Sequence, residues 1–464
     1  MKTEPIVDTF SEILQGITPA QKPDEGNCIL SYRFPVKVRN FRHLAHQLIR
    51  SDNPAFYFEK HEENYRFLAV GSVHRIRSAG EGRFEDLEQE VSRGNSLIVH
   101  NFNGTPDEPF PLYVGSMSFY AHHGDVSWKD FYPSDWFIPE FVIAKTAGKV
   151  VASFQVNLSG QNDGGDSVGK LKEFFARLEQ EHYHNGNKRY AYRYEKNSEE
   201  QELWKNKAAN VINAIRQGEV NKLVLSRRVK FNVPEAEHII GAILKAGGKF
   251  PNSYIFMMRS NDSLFIGMSP EKFVSSQRGK IHCQAIAGSI VRGDTLEEDE
   301  SLGDELLKSK KNREEHRVVV NHISSILEKY CTQLTIDPDP ALKKMSYIQH
   351  LYTGISGELS PGVSLFRILE DLHPTPAVGG YPLEPALKMI QNIEQYDRGL
   401  YTGFLGWFDT DGNGDFCVAL RSALHVNNTM YAFVGSGIMG DSNPADELEE
   451  TEIKLNAIIS LLDS

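Results

Sequence analysis

Acidic side chains at positions where acids are hard to tolerate are the first sign of chemistry in this chain. The last helix opens at Asn443-Pro444, an N-cap followed by the proline favoured at the first helical position. On it Leu448, Thr451, Leu455, Ile458 and Leu462 form one apolar stripe, and Glu447, Glu450 and Lys454 share a strip bordering it. First-turn acids complement a helix macrodipole, which accounts for the outward Asp446, Glu449 and Glu452. Glu447 and Glu450 differ, because like charges beside a core repel unless a cation or a proton joins them. A hard cation held by oxygens is one such partner, and Mg²⁺, which needs few protein carboxylates, is the leading candidate. Glu315 repeats the anomaly on a helix expected over about 303–330. There it falls on the buried stripe of Val319, Ile323, Ile326 and Tyr330. Carboxylates from two helices could therefore converge on one ion.

Acid–base and anion-binding candidates come from strands. Lys222 opens NKLVLSRRVKF, where it fits a solvated strand end, although partial burial would bring an amine into general-base range. Glu271 follows Ser269-Pro270, where an apolar strand ends and the chain turns. Spacing alone fits an ordinary turn acid, but a carboxyl kept protonated by its surroundings acts as a general acid. Arg421 is expected on the returning strand of a strand–turn–strand unit over Gly399–His425, a rigid place for a carboxylate-binding fork.

The elements that must position these groups follow from periodicity. An amphipathic helix covers Gln201 to Gln217, and 253–292 reads as an antiparallel meander. His350 to Gly354 and HPTPAVGGYP (His373 to Pro382) read as rigid pocket walls, and Gly435, Ser436, Gly437 and Gly440 as a glycine-rich turn. Ala55–Glu59, Tyr65–Val70, Ser96–His100 and Lys149–Val156 are strand-like. The expected organisation is a variable part over 1–160, a flexible surface linker over 161–200 and a chemical part over 201–464, in one domain.

Three motifs are decoys. Gly164 to Lys170 matches the start of a phosphate-binding loop, but Leu171 offers no hydroxyl to a metal and Asp166 puts a negative charge in the cradle. Asp409 to Asp415 imitates the opening of a calcium loop, but its twelfth position is Leu420, so a hairpin tip is expected. His122 and His123 with Asp125 fit a polar loop tip better than a metal site.

Bulk properties narrow the class. With 464 residues, 40% hydrophobic, the chain can bury a large core. Its net charge of −12 argues against a general nucleic-acid or membrane-surface role, so an anionic ligand must meet a local basic pocket. Neither a signal-like leader nor a span-length apolar run is evident, and a cytoplasmic location is expected. Cys28, Cys283, Cys331 and Cys417 are scattered without a CxxC pair, suggesting neither disulfides nor zinc.

Taken together, Lys222 in NKLVLSRR, SPEKF around Glu271, IAGSIVRG, SKKNREEHR around Glu315, HPTPAVGGYP, YTGFLGWFD, ALRSAL, GSGI and ELEETEIKL resemble the chorismate-utilising enzymes. That group contains isochorismate synthase, salicylate synthase, anthranilate synthase component I and aminodeoxychorismate synthase. The resemblance covers roughly 200–464 and implies an α+β fold, two large antiparallel sheets facing each other with helices outside and the active site between them. Amine-transferring members carry Gln where Lys222 stands, and amine-transferring and salicylate-forming members typically carry Thr where Ala377 stands. The resemblance thus implies a cytoplasmic, Mg²⁺-dependent isochorismate synthase, monomeric, serving menaquinone or catechol siderophore synthesis. By the same resemblance, Lys222 is the base that activates water and Glu271 the acid. Mg²⁺ is held by Glu315 and Glu450, with Glu447 close by, directly or through water. Arg421 and Lys454 bind the carboxylates of chorismate, His350 lines its ring, Ala377 faces it, and Gly288, Ser289 and Gly437 approach it.

Overall fold

The computed structural model describes all residues except 1–2, 18–27, 52, 94–95, 103–108, 147, 159–165, 180–196, 234 and 464. The described strands form one twelve-stranded and one ten-stranded sheet. Neighbouring strands run antiparallel, apart from the parallel pair Cys28–Pro35 and Ser96–Asn101. Both sheets draw strands from the first 160 residues and from the part beyond 201.

Alternation within the strands decides what each face meets. In Ala55–Lys60, Phe56 and Phe58 point between the sheets and pack with Val114, Phe137, Leu405 and Trp407 of the smaller sheet. Ala55 and Tyr57 point outward, into the core shared with the helices Glu4–Gly16, Ala236–Lys249 and Pro444–Leu462. Helices Arg83–Ser92, Lys310–Leu327 and Leu365–Leu372 cover the smaller sheet. Burial on both faces explains why many strands read as unbroken apolar runs.

Two of the chain's passages between the sheets lie at adjacent places. The chain leaves the larger sheet after Ser263–Ser269, crosses at Pro270-Glu271 and enters the smaller sheet at Lys272–Gln277. It returns from Gly414–Val418 through Ala419, Leu420 and Arg421 to Ser422–Val426 of the larger sheet. The two crossings are tied together, since Val418 N–H donates to the Glu271 carbonyl (3.1 Å) and Met268 N–H to that of Arg421 (3.3 Å). The expected single meander over 253–292 is therefore split between two sheets. Arg421 sits in the crossing instead of on a strand, with φ +48°. That conformation is uncommon for a residue with a Cβ and recurs at functional sites.

Other expectations are corrected. Gly435, Ser436 and Gly437 belong to the strand Thr429–Ile438, and His350 to Gly354 to the strand Ile348–Leu359, so neither stretch is a turn or loop. The helix expected over 303–330 is two helices, Leu296–Lys308 and Lys310–Leu327. They break at Ser309, whose hydroxyl accepts from Asn312 N–H. Part of the supposed linker is core: Ser167–Glu179 is a helix that buries Leu171, Phe174 and Phe175, with Phe174 stacked 4.4 Å from Phe141. Gly164 and Gly165 of the phosphate-loop imitation lie outside the described residues. Asp409 to Asn413 does form a hairpin tip, with Asp409 accepting from the backbone N–H groups of Asp411 and Asn413. The closing helix is capped as expected, Asn443 Oδ1 accepting from Ala445 N–H at 2.9 Å.

Candidate active site

A cleft with about 630 Å³ of empty space, part of it open to solvent, lies beside the two crossings. Its walls include Glu271, Gly288, Ser289, Glu315, His350, Ala377, Arg421, Gly437, Glu450 and Lys454. Ten of the twelve residues singled out from the sequence thus share one pocket, and the remaining two, Lys222 and Glu447, stand against it.

Lys222 opens the strand Lys222–Asn232, which pairs with Thr429–Ile438 so that Leu223 faces Ile438 and Val224 faces Gly437. The residue is 0% exposed. Its Nζ lies 3.0 Å from Glu315 Oε1, yet makes no well-directed hydrogen bond among the described residues. Its remaining donors are able to bond a group that enters the cavity. The glycine at 437 makes this meeting possible. A Cβ there would stand 2.2 Å from Glu315 Oε1 and 3.4 Å from Lys222 Cε.

Glu271 is 3% exposed. Burial pushes its carboxyl up from 4.5 to about 8, only partly opposed by the charges of Lys222, Lys343, Arg421 and Lys454. It is thus a carboxylic acid at neutral pH. A group raised in this way favours the folded state fully below its unfolded value and loses that advantage as pH rises through its folded one. Glu271→Gln should therefore gain melting temperature relative to the parent as pH rises from 4.5 to about 8, and no further above that. Thermal unfolding followed by circular dichroism across that range checks this, and a difference independent of pH would contradict it.

The strand Lys280–Val291 bulges between Ala287 and Ser289, where Gly288 takes φ +75° and packs against Asn312. The bulge aims Ser289 at His350, whose Nδ1 lies 2.9 Å from Ser289 Oγ. Arg421 Nη2 donates to His350 Nε2 at 3.2 Å. Arginine can only donate, so Nε2 is the acceptor and the proton sits on Nδ1. Burial, and after it the Arg421 charge, hold His350 well below its ordinary range, so it is neutral. Among the described residues no carboxylate pairs with the Arg421 guanidinium within 4 Å, and what remains accessible of it faces the cavity. A guanidinium so placed is a receptor for an anion.

The three remaining acids each hold a lysine. Glu315 faces Lys222, Glu447 accepts from Lys311 at 2.7 Å, and Glu450 pairs with Lys454, which also donates to the Gly435 carbonyl. Ser436 and Ser442 donate to Glu447 at 2.5 and 2.6 Å. Burial, then the charge of Glu450, raises the Glu447 carboxyl, while at Glu450 burial is outweighed by Lys454, Ser436 and Lys311 together, which lower it. Among the described residues no three His, Cys, Asp or Glu side chains already form a metal-ready group. His122, His123 and Asp125 likewise form none. Asp125 caps a short helical turn at Ser127 and pairs with Arg228, and His123 stacks on Trp128.

Two features escaped the sequence. Arg398, fully buried, bonds both oxygens of Glu394 and the carbonyls of Val224 and Val378, two pocket walls. Glu394 in turn accepts from Ser226 N–H and Oγ, fixing the strand that carries Lys222. The only signal was the spacing of four between Glu394 and Arg398. Lys311 was also missed, although it precedes Glu315 by one helical turn.

The family described as chorismate binding enzyme matches residues 14–463. Isochorismate synthase MenF of Bacillus subtilis is 33% identical over 416 residues, 88% of this chain and 87% of that protein. The salicylate biosynthesis isochorismate synthase of Pseudomonas aeruginosa is 40% identical over 263 residues, 56% of this chain and only 55% of that relative's length. Among solved structures, the menaquinone-specific isochorismate synthase MenF of Escherichia coli is similar in fold. Its TM-score is 0.78 at 21% identity, with 99% of this chain and 100% of that one covered. Anthranilate synthase component I of Streptococcus pneumoniae also shares the fold, with TM-score 0.67 at 20% identity over 85% of this chain and 92% of that one.

Proposed function

The chain belongs to the chorismate binding enzyme family, and from that premise we infer that it is an isochorismate synthase, converting chorismate reversibly to isochorismate. The observation that carries this reading is a wholly buried amine with unused donors, Lys222, beside a cavity walled by a carboxylic acid that stays protonated near neutrality, Glu271.

Water is a poor nucleophile and needs a base, whereas ammonia does not, so a lysine at this position suits water. A water whose proton passes to the Lys222 amine adds its oxygen at C2. The ring double bonds shift, and the C4 hydroxyl leaves as water with the proton of Glu271. The balance is one water in and one out. Arg421 and Lys454 take the substrate's carboxylates, and the neutral His350 keeps Arg421 in place. Isochorismate of this kind feeds menaquinone or catechol siderophore synthesis.

The acids Glu315, Glu447 and Glu450 suit a hard divalent cation. They offer only oxygen donors, and the charge of Glu450 adds to burial in raising the Glu447 carboxyl. Mg²⁺ held there would supply an anchor for the substrate's ring carboxylate. Incubation with chorismate and Mg²⁺, with products resolved by chromatography, should give isochorismate, and EDTA should suppress it. Salicylate with pyruvate, or an aromatic amine formed only with ammonium, would replace this reading by another activity of the family.

Gly437→Ala offers a further check. The added methyl must displace Glu315, so turnover should fall on the order of 10²-fold while circular dichroism stays that of the parent. Turnover within twofold of the parent would show that the contact between Glu315 and Lys222 is not needed.

A further inference from the structure

We propose that Lys311 is a tethered cation that competes with the divalent metal for Glu447 and swings out to solvent when the metal binds. The inference rests on the assignment of Glu315, Glu447 and Glu450 to the metal, and adds a competitor built into the chain.

Three carboxylates and three lysines meet at this end of the cavity. The Lys311 ammonium is bonded to Glu447 Oε1 at 2.7 Å, and it also interacts electrostatically with Glu315 and Glu450. One internal cation thus holds an oxygen of Glu447 and lies in the field of the other two acids. The three lysines differ in whether they have anywhere else to go. The side chain of Lys222 is 1% exposed and that of Lys454 12%, and Lys454 is also bonded to the Gly435 carbonyl. The side chain of Lys311 is 30% exposed, on the first turn of Lys310–Leu327, and its four-carbon stem can carry the ammonium into water.

Its departure would not leave Glu447 adrift, because Ser436 and Ser442 continue to donate to that carboxylate. Exchange of a single charge for a double one makes the pocket one unit more positive, which suits a substrate with two carboxylates. An internal cation also lowers the apparent affinity for the metal, by the fraction of molecules in which Lys311 has moved aside.

The test uses the full-length apo protein without chorismate, and Mn²⁺ as the probe, free Mn²⁺ being counted by electron paramagnetic resonance. Lys311→Met should bind Mn²⁺ about tenfold or more tightly than the parent, with Mg²⁺ displacing it, and Lys311→Arg should stay as weak as the parent. Lys311→Gln gives the same reading should the Met variant fail to fold. Equal or weaker binding by the Met and Gln variants overturns the proposal while leaving the metal site standing. Parental Mn²⁺ affinity in Glu450→Gln removes the site assignment, and the proposal with it.

Discussion

Lys222→Gln should lose roughly 10²–10⁴-fold in the rate of isochorismate formation, the range that a positioned general base contributes. The side chain is fully buried and its amine touches one of the acids at the cavity wall. Glutamine roughly fills the same space but cannot take a proton from water. The rate is measured with saturating Mg²⁺ and chorismate, after circular dichroism has shown a folded variant. The loss should fall on kcat more than on KM, because proton abstraction belongs to the transition state and not to substrate binding. A variant within tenfold of the parent would leave the water without its assigned base.

Glu271→Gln should be comparably slow, by roughly 10²–10⁴-fold, because an amide cannot protonate the departing hydroxyl. The pH profile separates this role from a structural one. With the Glu271 carboxyl at about 8, the acid form is complete at neutral pH, and kcat/KM of the parent should fall as pH rises through that value. The direction is fixed by the raised value: the active species is the protonated one, so the alkaline limb belongs to Glu271. In the variant that limb should vanish while the residual rate persists. An unchanged alkaline limb in Glu271→Gln would assign it to another group.

The parts of this site legible from sequence were those where a residue type conflicted with its surroundings. Glu315 on an apolar stripe and Glu447 beside another both announced themselves, because burial of a charge has few explanations. Lys222 and Glu271 were weaker signals, each compatible with a solvent-facing strand end or turn, and the family resemblance did more for them than periodicity. What sequence could not show was the passage between sheets. The apolar run through Val418, Ala419 and Leu420 continues across the crossing, because both sheets bury their strands, so Arg421 read as part of a strand. The glycines at 435 and 437 read as a turn, whereas Gly437 lies in a strand where Glu315 leaves no room for a Cβ. Their demand for space comes from residues on other elements, out of reach of a local reading. The same holds for Phe174, whose stacking partner Phe141 lies on the strand Phe141–Thr146, and which turned a supposed linker into core. Lys311 was invisible for a different reason, since a lysine one turn before a glutamate is ordinary on any helix surface.

The central claim is that a water held by Lys222 supplies the new hydroxyl while Glu271 expels the old one. Turnover of chorismate in water enriched in ¹⁸O, stopped early and analysed by mass spectrometry, tests it most directly. The account predicts isochorismate carrying one heavy oxygen on the ring, with recovered chorismate acquiring the same label as the reaction reverses. Unlabelled isochorismate would mean that the hydroxyl migrates within the substrate, and would contradict it.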